Sequence, residues 1–78
     1  MKLSDGKIGE MYTVKAIDLE HKAKSHLQIL GMTVGSKLEI LNSKKSGTKI
    51  VKVRGTRFAL GGAFADSIEV EKKGGDAR

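Results

Sequence analysis

Two glycines, Gly31 and Gly35, constrain the fold of this chain more than any other feature of its sequence. Apolar residues recur at helical spacing just before them, within 23–30, and form one narrow stripe on a short helix. Gly31 then stands where a helix ends on a left-handed residue. In such an ending Met32 folds back onto Leu27, so the sequence predicts a helix that stops against its own last turn.

The segment 33–36 predicts a tight turn that needs a positive φ at Gly35, the third position of a type II turn. Polar and apolar residues alternate directly after it, which predicts a strand with Leu38, Ile40 and Asn42 on one face. A helix that two fixed glycines lead into a strand is typical of a rigid folded module rather than a linker.

Short strands account for most of the remaining pattern. Gly55-Thr56 predicts a two-residue hairpin turn of type II′, which has glycine at its first position. A chain of 78 residues is too short for a two-sheet sandwich, so the sheet must curl on itself to remove its edges. We therefore predict a mainly β fold, a small SH3-like β-barrel with one inserted short α-helix at about 22–30. The predicted strands lie near 11–17, 38–42, 49–54, 57–60 and 67–71, with one helical turn at 63–66.

We predict one domain at 1–71, followed by a flexible C-terminal tail at 72–78 that is polar and contains glycine. A domain of this length buries only ~60% of its unfolded surface, so its core is small. The predicted core is the set of apolar residues that the patterns turn inward: Leu3, Ile8, Tyr12, Val14, Leu27, Leu30, Met32, Leu38, Ile40, Ile50 or Val51, Val53, Phe58, Leu60, Ile68 and Val70.

The sequence has no cysteine, no leader of charged and then apolar residues, and no apolar run near the ~20 residues that cross a bilayer. We therefore expect a cytoplasmic protein without disulfides or thiolate metal sites. Catalysis needs a nucleophile with a base, or paired carboxylates in a cleft, and the sequence shows neither pattern. We predict no enzyme activity and no cofactor.

Two histidines, His21 and His26, are the candidates for metal binding. On a helix they lie ~140° apart, so they cannot share a ligand on one face. Asp18 and Glu20 are close to His21 in sequence, and imidazole with carboxylate is a donor set that suits ferrous iron. Acidic residues are also favoured where a helix begins, and we predict that they serve this role and form no metal site.

The net charge is +6 at pH 7, and lysines outnumber arginines by twelve to three. A basic domain can bind nucleic acid, and a nucleic-acid-binding SH3-like domain is the alternative function. The lysine bias and the presence of only three aromatic residues disfavour it, because base recognition uses arginine forks and stacking rings. The same lack of aromatic residues argues against a groove that reads proline-rich peptides.

Read in order, the motifs resemble the FeoA family, the small cytosolic accessory proteins of the bacterial ferrous iron transport system. The resemblance runs from Leu3 to about Val70 and depends on an ordered set of motifs: Leu30-Gly31-Met32, Val34-Gly35, the alternating strand 38–41, and the hairpin Val53-Arg54-Gly55-Thr56-Arg57-Phe58-Ala59-Leu60. It implies an SH3-like fold and a partner, the cytosolic part of a FeoB-type membrane transporter. It implies neither a small-molecule substrate nor direct attachment to the membrane.

One helix residue does not belong to the predicted core. Ile29 lies ~130° from the apolar stripe on the helical wheel, beside Lys22 and Ser25. An apolar side chain ringed by lysine is also how a small docking surface looks. We predict that Lys22, Ser25 and Ile29 bind the partner, with the loop residues Lys44 and Lys45 as the competing surface.

Overall fold

The computed structural model describes residues 1–72, which form one antiparallel sheet and two short helices. The strands are β1 (Met11–Ile17), β2 (Lys37–Ser43), β3 (Lys49–Val53), β4 (Thr56–Leu60) and β5 (Ile68–Lys72), and the helices are α1 (His21–Ile29) and α2 (Gly62–Asp66). A 3₁₀ turn at Leu3–Asp5 precedes them. Each predicted strand and helix is present within one residue at either end. Lys72, assigned to the tail in the sequence, is the last residue of β5, and 73–78 lie outside the described residues.

The five strands form one sheet in the order β4-β3-β2-β1-β5. Short turns join β2 to β3 and β3 to β4, while α1 is inserted between β1 and β2. The predicted fold class is confirmed, but the sheet curls without closing, because β4 and β5 do not pair over residues 1–72. The N-terminus covers part of the outer edge of β5 through a bridge between Lys2 and Glu69.

Charge pairs at the surface join β5 to the segments on both of its sides. The terminal ammonium of Met1 lies 2.6 Å from the Glu69 carboxylate. Lys72 Nζ lies 2.9 Å from Glu10 Oε1, and the hydrogen bond and charge of this carboxylate raise the pKa of Lys72. Pairs this exposed stabilise a fold only slightly, so they assist the pairing of β5 and do not define it.

The core lies on the inner side of the curled sheet, under α1 and α2. Its fully buried members are Leu3, Tyr12, Val14, Leu27, Met32, Leu38, Ile40, Val51, Val53, Leu60, Ala65, Ile68 and Val70. Leu30 and Phe58 are only partly buried, and the structure selects Val51 over Ile50. Tyr12 is buried with its hydroxyl satisfied, because its Oη accepts a hydrogen bond from the Lys7 N–H at 2.9 Å.

The end of α1 confirms the predicted glycine ending. Gly31 has a φ of 95°, and its N–H donates to the Gln28 carbonyl at 2.9 Å. The Met32 N–H donates to the Leu27 carbonyl at 2.9 Å. These two bonds define a Schellman motif, and Leu27 and Met32, which flank it, are both fully buried.

The second glycine turn is also as predicted. Gly35 has a φ of 94°, and the Ser36 N–H donates to the Thr33 carbonyl at 2.9 Å. The Ser36 hydroxyl joins this turn to the helix end, because it accepts from the Thr33 N–H and donates to the Gly31 carbonyl at 3.1 Å. One buried serine therefore fixes the path from α1 into β2.

Two expectations about side-chain direction are wrong. Ile8, predicted in the core, is 57% exposed because it lies in a turn that Gly9 closes with a φ of 87°. Asn42, predicted on the face of Leu38 and Ile40, is exposed while Leu41 is half-buried. The pairing of β2 with β3 shifts register between Ile40 and Asn42, and such a bulge reverses the faces of the residues beyond it.

The turn between β3 and β4 differs from the type II′ turn that the sequence predicts. Val53 pairs with Thr56, so the two turn residues are Arg54 and Gly55 rather than Gly55 and Thr56. Both have positive φ, 53° for Arg54 and 82° for Gly55, which is the signature of a type I′ turn. Among residues 1–72, Arg54 is the one non-glycine residue with a positive φ.

Candidate partner-binding surface

A groove of about 400 Å³ lies between α1 and α2. Its walls carry Glu20, Lys22, Ala23, Ser25, His26, Ile29 and Phe64. Two of these side chains are large, apolar and open to solvent, since Ile29 is 82% and Phe64 38% exposed. The groove thus combines exposed apolar side chains with charged and polar groups, a mixture that is found at small protein-binding surfaces.

α1 presents Ile29 because its opposite side is fixed to the core. Leu27 is the one fully buried residue of this helix, with Ala23 and Leu30 half-buried beside it. Ile29 follows Leu27 by two positions and therefore lies on the far side of the helix. Full burial of an isoleucine side chain is worth ~1.5–3 kcal/mol, so a partner that covers Ile29 gains a substantial contact.

α2 brings Phe64 to the same groove. This helix has one turn, and Ala65 is its buried residue, so Phe64 next to it faces outward. The Ser67 N–H donates to the Phe64 carbonyl at 3.0 Å and closes the turn. Sequence analysis missed Phe64, because one helical turn is too short to show a periodicity that would separate its faces.

Three of the five predicted partner-binding residues, Lys22, Ser25 and Ile29, lie together in this groove. The other two, Lys44 and Lys45, are exposed in the loop between β2 and β3 and do not line it. That loop is a compact turn in which the Lys44 N–H donates to the Thr48 carbonyl at 2.8 Å. Its Gly47 packs close to Gly62 at the start of α2, so the two predicted surfaces are separate but not remote.

The residues considered for metal binding do not converge. Within residues 1–72, no three side chains of His, Cys, Asp or Glu are placed to hold a metal ion. His21 is exposed at the first position of α1, whereas His26 lines the groove one and a half turns further along. Glu20 precedes α1 but makes no side-chain hydrogen bond to the helix start.

None of the described helices is long and apolar enough to cross a membrane.

Comparison with known proteins agrees with the fold and with the order of the motifs. The FeoA domain family model matches residues 1–72. A relative from Methanocaldococcus jannaschii carries the name Fe(2+) transport protein A. It is 35% identical over 69 residues, which cover 88% of this chain and 83% of the relative.

Two solved structures extend the comparison. The solution structure of the FeoA protein from Chlorobium tepidum is 30% identical and superposes with a TM-score of 0.89, covering 97% of this chain and 73% of the other. The crystal structure of Stenotrophomonas maltophilia FeoA complexed with zinc, described as a prokaryotic SH3 domain protein, is 26% identical with a TM-score of 0.73. It covers 91% of this chain and 89% of its own.

A curled five-stranded antiparallel sheet with an inserted helix and an open apolar groove defines a small SH3-like domain. The chain belongs to the FeoA family.

Proposed function

We propose that this protein is a non-enzymatic, cytoplasmic accessory protein of ferrous iron transport that binds the cytosolic part of a FeoB-type membrane transporter. Membership of the FeoA family and the relative named for Fe(2+) transport support the role in iron transport. The observation that carries the partner-binding part is the exposed pair Ile29 and Phe64, which face one groove from two different helices.

The groove offers two features of a docking surface, exposed apolar area and an available positive charge. Covering Ile29 and Phe64 removes apolar area from water, which favours association. Lys22 lines the groove, and in the part of the chain that the structure describes it takes part in no ion pair. Lys22 is therefore available to steer an acidic partner toward the groove. The protein acts by contact alone and takes neither cofactor nor small-molecule substrate.

Replacing Ile29 with glutamate tests this surface. Ile29→Glu should leave the melting temperature unchanged, because the side chain is 82% exposed, and should weaken the complex at least tenfold. The complex is measured by pull-down and titration with the transporter's purified cytosolic domain, and ferrous iron uptake is measured in cells. Phe64→Ala should weaken the same complex, because Phe64 is the second apolar group of the groove.

Gln28→Glu is the matched control, since it adds the same charge at an exposed neighbouring residue that does not line the groove. This variant should bind and support uptake normally. The competing surface is tested by Lys44→Glu with Lys45→Glu. If that double variant abolishes binding and uptake while Ile29→Glu leaves both normal, the loop is the docking site and the helix assignment is wrong.

A further inference from the structure

A second groove, of about 520 Å³, opens on the outer face of the sheet, away from the helix groove residues. It lies across β2 and β3, at the end of the sheet where the turns that contain Gly35 and Gly55 lie side by side. Its side-chain walls are Met11, Lys37, Glu39, Lys52 and Arg54. None of these residues belongs to the surface proposed above.

The charges of this groove are unbalanced. Lys37, Lys52 and Arg54 face it with Glu39 as the one carboxylate. Glu39 and Lys52 are opposite each other in the ladder, yet over residues 1–72 no ion pair includes any of the four charged side chains. Cations gathered on one sheet face repel each other, so an anion that enters the groove relieves this repulsion.

Arg54 occupies a backbone conformation that its own side chain disfavours. Its φ of 53° is left-handed, and the first position of a type I′ turn prefers asparagine, aspartate or glycine. Its stem lies over the helix end, since a Cβ built on Gly31 would be 3.5 Å from Arg54 Cδ. Backbone strain of this kind clusters at functional sites. The turn and the contact with Gly31 hold the Arg54 side chain at the groove.

We propose that this groove binds an extended acidic segment of another protein. Lys52 lies in β3 and Arg54 in the turn that follows it, so their cations can meet two different carboxylates of an extended chain, in which alternate residues are ~7 Å apart. Met11 adds an apolar wall, being 42% exposed. This wall favours a polypeptide, which can place an apolar side chain against it, over the charged backbone of a nucleic acid. Gly35 and Gly55 leave the backbone bare at one end of the groove, where another chain can approach closely.

The test uses the full chain and a fluorescein-labelled synthetic peptide with three glutamates at alternate positions, separated by serines. Binding is followed by fluorescence anisotropy at 0.15 M salt, and a peptide with glutamine in place of each glutamate is the reference. Arg54→Asn should weaken binding of the acidic peptide about fivefold or more, which corresponds to ~1 kcal/mol. The same variant should raise the melting temperature, because Asn-Gly is the preferred type I′ pair.

Lys45→Gln is the matched control. It removes one positive charge from the loop at the opposite end of the β2–β3 hairpin, and it should change peptide affinity less than twofold. Lys52→Gln is a second groove variant outside the turn, and it should weaken binding as Arg54→Asn does. Neither variant alters the residues of the helix groove.

Several results would overturn the proposal. An unchanged affinity in both groove variants means that the peptide does not bind there. An equal loss in Lys45→Gln means that the peptide senses only the net charge. If pyrophosphate or polyuridylic acid displaces the peptide and binds more tightly through the same residues, the groove is a phosphate site. The assay contains no transporter, so its outcome is independent of the function proposed above.

Discussion

Gly31 performs two tasks at the scale of a single residue. Its left-handed backbone ends α1, and its lack of a side chain leaves the surface on which the Arg54 stem packs. The Ser36 hydroxyl donates a hydrogen bond to the Gly31 carbonyl and so joins the helix end to the next turn. The conformation of one glycine thus controls both where the helix stops and where an arginine of β3's turn is held.

Gly31→Ala should destabilise the protein by ~1–2 kcal/mol, because an L-residue in the left-handed region is strained. The nearest heavy atom would be 3.5 Å from the new Cβ, so the loss reflects backbone strain and not a collision. Urea denaturation followed by circular dichroism measures the change.

Gly61→Ala is the matched control for that experiment. Gly61 has a φ of −61° and no heavy atom within 4 Å of a built Cβ, so its free energy of unfolding should change by less than ~0.5 kcal/mol. Equal effects in the two variants would show that Gly31 is not conformationally required.

At the scale of elements, α1 depends on one anchor. Leu27 is fully buried, whereas the helix residues around it are half-buried or exposed. The helix is nine residues long, and helices of this length are marginal in water without tertiary packing. The groove that contains Ile29 therefore exists only while Leu27 keeps α1 on the sheet.

Leu27→Ala should cost ~2–5 kcal/mol, because it removes buried methyl groups and leaves a cavity. Part of this loss should be local, with amide exchange in α1 accelerated more than in β2 and β3. Hydrogen exchange followed by NMR distinguishes the elements. Gln28→Ala, an exposed neighbour, should leave the exchange of α1 unchanged. Uniform acceleration of every element in Leu27→Ala would mean that α1 and the sheet unfold as one unit.

At the scale of the whole molecule, the net charge of +6 is the property that would by itself suggest nucleic-acid binding. The structure gathers three of the cations in the outer groove, and others lie apart, as in the loop with Lys44 and Lys45. A positive surface attracts any polyanion at low salt, so charge alone does not distinguish an adaptor from a nucleic-acid-binding domain.

If the protein is an adaptor, its binding to RNA should stay within the non-specific range of ~10⁻⁴–10⁻⁶ M at physiological salt and should not depend on sequence. Titrations of several unrelated oligoribonucleotides over a series of salt concentrations measure this. Submicromolar binding that prefers one sequence would instead favour the nucleic-acid-binding alternative.

The sequence by itself determined the features whose causes lie within a few residues of one another. The glycine ending of α1, the type II turn at Gly35 and the positions of the strands depend on local backbone preferences and on short-range alternation. The exposure of Ile29 follows equally from its angle to Leu27 on the same helix. The ordered set of these local motifs also made the family recognisable.

Tertiary structure decided whatever depends on residues distant in the chain. The bulge that turns Asn42 outward arises where β2 meets β3, and the pairing of Val53 with Thr56 is what gives Arg54 its left-handed backbone. Phe64 joins Ile29 only because α1 and α2 cover neighbouring parts of one core. Both candidate surfaces are therefore products of packing. A sequence pattern records which side of an element a residue occupies, but not which other element faces it.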